Sequence, residues 1–301
     1  MSEDGRHGLT IIAFVGSVFS PYYAWARRRA PGGAADPHDH CAINVALYGE
    51  PRRWAMTERG RGKLFRDRTN LKIGPSALAW DGETLVITID ETTVPVPSRL
   101  AGTVRVRPAA LTGASFALDD AGLHQWRPIA PCSDVEVEFS RPALAWRGHG
   151  YLDSNRGETP LETAFVRWDW SRAALADGAA VLYHAIRRGA AGPAGRDHDG
   201  VDERALALRF DRAGTVTPVE VPHRVMLPDT LWRMPRETRS DRPDGMRVAA
   251  TFEDSPFYTR SLLTGSLLGE EVSAVHESLS LDRFAAPWVQ AMLPFRMPRL
   301  R

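Results

Sequence analysis

Residues 148–170 read GHGYLDSNRGETPLETAFVRWDW and concentrate the side chains best suited to chemistry. Tyr151, Asp153 and Asn155 fall at every second position, and His149 precedes them in the same phase. On a β-strand such residues project from one face. A face carrying a phenol, a carboxyl and an amide is not plain apolar core. It either meets water or lines a cavity with a polar centre, and the spacing leaves both open. Trp168 and Trp170 repeat the alternation further on, with Asp169 pointing the opposite way. A carboxyl among aromatic rings suits general-acid work. An apolar surround favours its protonated form, and π faces attract a developing cation.

Other aromatic sites carry weaker signals. Trp126 stands in HQWRPIAP, and a lone tryptophan more often packs a core than serves a reaction. FEDSPFYTRS places Asp254 beside Phe257 and Tyr258, where a turn-capping aspartate is the plain alternative. His38 and His40 form an HxH pair with no third ligand in view, so hydrogen-bonded loop histidines are expected and no metal is assigned. Dinucleotide, Walker, HExxH and GxSxG signatures do not occur, and no cofactor is expected.

The elements that would position these residues read as strands. Residues 84–96, 102–106, 135–139, 179–186, 204–210, 215–221 and 247–252 are β-branched or alternating, and turn signals divide them. The clearest helical stretch is 160–165, with Thr159 as its cap. Residues 190–200 form a polar, glycine-rich loop. The fold class is therefore all-β, sandwich or barrel-like, with a few short helices. Its 301 residues suit two domains, 1–160 and 161–301, with the division somewhere between 140 and 170. A net charge of +1 gives no electrostatic case for nucleic acid. Cys41 and Cys132 are expected as buried, reduced thiols of a cytoplasmic protein. The apolar run 9–19 is too short to span a bilayer and reads as a buried strand.

Long stretches of the chain resemble the carotenoid 1,2-hydratase family, also called hydroxyneurosporene synthases. They include AFVGSVFSPYYAWARR (13–28), DHCAINVALYG (39–49), RWAMTERGRG (53–62), IGPSALAWDG (73–82), ITIDET (87–92) and VRVRPAALT (104–112). WRPIAPC (126–132), GHGYLDSNRGETPLE (148–162), RWDWSRA (167–173) and EDSPFYTRS (253–261) continue the match in the family's order. The Gly-x-Gly-Tyr-x-Asp and Trp-Asp-Trp core is also similar to the wider AttH-like group. That resemblance implies two lipocalin-like β-barrel domains. Longer family members carry an N-terminal extension that this sequence lacks, with no expected consequence for the motifs.

The resemblance implies acid-catalysed addition of water to the terminal C1=C2 bond of an acyclic carotenoid such as neurosporene or lycopene, without a cofactor. Asp153 is then the expected acid, with Tyr151 and Trp126 as π faces for a tertiary cation. Trp168, Trp170, Asn155, His149, Asp254, Phe257 and Tyr258 are expected to line the substrate site. A polyene dissolved in lipid implies peripheral contact with the intracytoplasmic membrane. The tail 287–301, with Trp288, Met292, Leu293, Phe295, Met297 and three arginines, is the expected contact. A non-catalytic carotenoid carrier and a cyclase or Diels–Alderase of the same fold are the competing expectations.

Overall fold

The computed structural model describes residues 1–188 and 202–300, so the loop expected at 190–200 lies outside the described residues. Among them the chain is mostly strand, nearly all of it antiparallel, and forms two compact units. The units interleave along the sequence. One comprises Met1–Pro108, Ser133–Tyr151 and Gln290–Arg301, the other Ala109–Cys132 and Leu152–Val289. Length and pattern alone suggested consecutive halves. The long strands His124–Arg141 and Ala143–Gly157 each contribute residues to both units.

In the first unit Gly8–Val15, Cys41–Tyr48 and Arg53–Arg59 form an antiparallel meander, and Arg299–Leu300 joins its edge in parallel. Every residue of Cys41–Tyr48 is buried, which explains its apolar sequence; the one amide in it, Asn44, donates through Nδ2 to Ala55 O at 3.0 Å. The apolar run expected at 9–19 is a half-buried strand only to Val15. Its remainder turns into the helix Pro21–Arg29, which the sequence reading missed. Ser20 Oγ accepts from Tyr23 N there and Pro21 opens the helix, both ordinary start signals. A second sheet runs through Arg99–Pro108, Leu85–Thr92, Ser76–Trp80, Asn70–Ile73 and Leu64–Arg66. Val135 and Val137 lie opposite Val106 and Val104, as their alternation anticipates.

The second unit is a seven-stranded antiparallel sheet. Its order is Val216–Pro218, Asp202–Asp211, Gly178–Arg187, Phe165–Leu175, Glu270–Ser280, Tyr258–Leu267 and Met246–Asp254. A ribbon of His223–Leu227 and Arg236–Ser240 also belongs to this unit. Ala173, Leu182, Val225, Leu227, Leu263 and Ala274 pack in one apolar cluster beneath it. The sheets are open paths with two edges rather than closed barrels. The edge strand Met246–Asp254 carries two register shifts, which bend an edge away from further pairing. The expected helix at 160–165 is Leu161–Ala164. Its N-cap is Pro160 rather than Thr159, with no side-chain cap bond.

Candidate functional site

Trp126 and Asp153 meet within the second unit. Trp126 is fully buried on His124–Arg141, and its indole Nε1 donates to Asp153 Oδ2 at 2.9 Å. Phe116 lies opposite it in register, ring centroids 5.5 Å apart. Tyr183 lies 5.7 Å from Trp126 and 6.1 Å from Trp168. Phe165 continues the series, 5.8 Å from Trp168 and 5.0 Å from His124. A half-buried carboxyl is thus tied into an unbroken chain of aromatic rings.

His124 fixes the backbone that carries Asp153. Its Nδ1 faces Asp119 Oδ2 at 2.6 Å and its Nε2 faces the Thr159 carbonyl at 3.1 Å. The ring lies so close to Gly157 that a Cβ there would stand 2.8 Å from His124 Cδ2. Glycine at 157 is therefore a packing requirement of the turn after the Asp153 strand.

Pairing across the unit's sheet extends the aromatic surface. Tyr183, Trp170, Glu277 and Arg260 form one cross-strand row; Ala185, Trp168, Leu279 and Tyr258 form the next. Directly paired residues project to the same side. Arg260 Nε donates to Glu277 Oε1 at 3.0 Å, and its guanidinium lies 5.6 Å from the Tyr258 ring centre. Burial first, then the negative fields of Asp153 and Glu277, pushes the Tyr183 hydroxyl well above the usual phenol range, so it stays protonated.

The fold therefore gathers Asp153, Trp126 and Trp168 through Tyr183, and places Trp170 and Tyr258 on the same sheet face. Tyr151 is half-buried two residues before Asp153 on the same strand. Asn155 is exposed. His149 is exposed too, its Nδ1 3.7 Å from Asp134 at the surface of the first unit. Asp254 Oδ2 accepts from Trp232 N at 3.4 Å, and Phe257 packs on Phe284 at 5.2 Å; both belong to a loop framework. Sequence reasoning missed Tyr183, Glu277 and Arg260. The one trace of Tyr183 is the polar pair Tyr183–His184 within an otherwise apolar strand.

The opposite face of the same strands holds a buried ionic network. Ser278 Oγ donates to Asp169 Oδ1 at 2.5 Å, and Arg167 Nε stands 3.2 Å from Asp169 Oδ2. Glu237 receives Arg167 at 2.8 Å and Arg224 at 2.5 Å, with His184 Nδ1 3.2 Å away. Burial raises the Asp169 carboxyl to about 7, with Arg167 opposing. Burial, then the charge of Arg236, lowers His276 to about 3. Asp169, His184 and Glu237 offer three donor atoms within 4.8 Å of one another, a set the sequence reading did not foresee. Guanidinium groups already neutralise both carboxylates, so a divalent cation would compete with fixed positive charge. His38 and His40 are loop partners of Asp36 and Glu58, at 3.0 and 2.8 Å. Cys41 and Cys132 are free and buried.

An open, AttH-like β fold bearing a carboxyl among aromatic rings is the class these features define. A solved structure described as a putative AttH from Nitrosomonas europaea aligns with 93% of this chain and 88% of its own, at TM-score 0.56 and 13% identity, which shows the fold alone. Residues 11–301 match the family described as carotenoid hydratase CrtC, and the chain belongs to that family. The acyclic carotenoid 1,2-hydratase of Thiocapsa roseopersicina is 55% identical over all of this chain and 71% of its own length. That of Rhodobacter capsulatus is 39% identical over 96% of this chain and 97% of its own.

Proposed function

We propose that this chain is an acyclic carotenoid 1,2-hydratase in which Asp153 is the acid. The observation that carries the assignment is the Trp126–Asp153 hydrogen bond inside the aromatic chain. A neutral carboxyl can accept from Trp126 at Oδ2 while carrying its proton on Oδ1. Asp153 delivers that proton to C2 of the terminal trisubstituted alkene, and C1 becomes a tertiary cation. The faces of Tyr183, Trp168 and Tyr151 offer π density to that charge, each worth on the order of 1–2 kcal/mol in a dry site. Water adds at C1, and the oxonium returns a proton to the Asp153 carboxylate. The acid is regenerated, the alkene gains one water, and no cofactor is consumed.

The substrate's solubility puts the reaction at a lipid surface. No helix among the described residues is long and apolar enough to cross a membrane. The lipid-dissolved substrate is the ground for proposing that the protein makes peripheral contact with the cytoplasmic side of the membrane. Each of the two β units serves as a domain of this one enzyme.

Purified protein incubated with lycopene or neurosporene in heavy-oxygen water should give a product heavier by one water, labelled at the C1 hydroxyl. A product of unchanged mass points to cyclisation. Unchanged substrate in stoichiometric complex points to a carrier.

A further inference from the structure

The motif around Asp254 and Phe257 finds its use away from the aromatic site, in holding up an apolar projection. Residues 228–234 leave the ribbon and turn tightly, with Arg233 N bonded to Thr230 O at 2.9 Å and Arg233 in the left-handed region at φ 54°. The tip is Leu231, 98% exposed, followed by Trp232 at 47%. Arg283 pins the turn from below. Its guanidinium donates to the carbonyls of Trp232 and Arg233, both at 2.8 Å, and to that of Pro256 at 3.4 Å. Asp254 holds Trp232 N, and the fully buried Met234 anchors the far end. A loop so braced keeps its leucine and indole in the solvent rather than folding them inward.

Trp232 stacks on Trp288, centroids 6.3 Å apart, although Trp288 is itself 52% exposed. Trp288 lies in the first turn of the helix Pro287–Arg296. Ala291, Met292 and Phe295 follow it at the third, fourth and seventh positions, all exposed, while Val289 and Leu293 are buried. The outer face of this helix is thus as apolar as its inner face, which for a surface helix calls for a non-aqueous partner. Residues 287–301 contain no Asp or Glu, but Arg299 is ion-paired with Glu58, and the exposed Arg296 has its guanidinium 4.3 Å from the Trp54 ring centre. Arg233 adds an exposed cation beside the tip, against Asp229 as the one carboxylate of the loop.

We infer that the Leu231–Trp232 tip and the Trp288 indole stacked on it form a wedge that inserts into the headgroup region of a bilayer containing anionic phospholipid. Exposed indoles, an apolar tip and the exposed guanidinium of Arg233 are the chemistry such an interface recognises. The inference deepens the membrane contact proposed above, and rests on it. It also narrows the sequence expectation, since Leu293 and Met297 of the tail are buried and take no part.

The test is flotation of the full chain with phosphatidylcholine–phosphatidylglycerol vesicles, alongside Leu231→Asp, Trp232→Asp and a control, Phe65→Asp, at an exposed phenylalanine in the other unit. The wedge variants should lose about tenfold or more of vesicle partition, and the control little. Turnover of carotenoid presented in vesicles should fall in parallel, while turnover of detergent-dispersed carotenoid holds. Failure of the native chain to float, or equal flotation of wedge variants and control, overturns the inference. So does a wedge variant that breaks an oligomer in sedimentation yet floats normally, because the face would then bind a second copy. Absence of turnover in detergent with flotation intact would refute the hydratase reading and leave the wedge standing.

Discussion

The indole N–H of Trp126 holds one oxygen of the Asp153 carboxyl, and the rest of the Trp126 ring is buried between Phe116 and Tyr183. The tryptophan is therefore both a packing residue and the partner that orients the Asp153 carboxyl. Sequence reasoning treated those roles as alternatives.

Asp153→Asn keeps size and can still accept from Trp126, but it has no proton to give. Turnover should fall by at least about 10²-fold, the scale of losing a general acid, with thermal stability close to native. Asp254→Asn is the matched control and should leave turnover in detergent nearly unchanged. The opposite ranking would return Asp153 to a structural role.

Trp126→Phe preserves an aromatic ring but removes the N–H donor together with part of a fully buried indole, so its thermal stability is measured alongside. A lost hydrogen bond to a carboxyl is worth about 1–2 kcal/mol, so kcat should drop roughly tenfold. KM should stay nearly constant, and the pH profile of kcat should shift because the acid has lost a partner. A variant with native kcat and native pH profile would show the bond to be incidental.

Tyr183 tests the π surface. Tyr183→Phe retains the ring and should cost little, whereas Tyr183→Leu should lower kcat by about tenfold, one cation–π contact. Equal losses for the two variants would assign the effect to the hydroxyl instead.

The ionic network makes a prediction about stability and pH. Asp169 is raised from 3.8 to about 7, so the folded state holds its proton more tightly; its contribution is full below about pH 4 and is lost as pH rises through 7. His276 is lowered from 6.5 to about 3, so its contribution is present above 6.5 and is lost as pH falls through 3. Across the shared window the two slopes oppose and flatten the native profile. Asp169→Asn should gain on wild type as pH rises between about 4 and 7, by about 1.4 kcal/mol per pH unit, and His276→Gln should show the reverse trend. Urea midpoints across that range measure both.

Because Arg167, Arg224 and Arg239 already face the carboxylates of the Asp169–His184–Glu237 cluster, chelation should not alter turnover. Dialysis against a chelator followed by assay checks this. A loss restored by one particular divalent metal would make the cluster a metal centre.

Much of this was legible before folding. Alternation placed Tyr151, Asp153 and Asn155 on one face and turned Asp169 away from Trp168 and Trp170, because period two is a local property of a strand. Which strands pair is not local. Tyr183, Glu277 and Arg260 reach the site only through the registers of three further strands, and no spacing in the sequence encodes those partners. Exposure was equally hidden for His149 and Asn155, which share the phase of Asp153 yet are exposed, His149 in mid-strand and Asn155 where the strand's last residues meet solvent. Ser20–Pro21 was a readable helix start that apolar content nearby obscured.

The strand Phe165–Leu175 sends Trp168 and Trp170 to the hydrocarbon-seeking side and Asp169 to the ionic side. Inserting or deleting one residue upstream within it would exchange those destinations without changing composition. Guanidiniums would then face indoles, and the carboxylate would face the aromatic rows. This stretch should tolerate substitution at many positions yet admit length changes only in pairs, so its evolutionary record should show drift in letters but constancy in spacing.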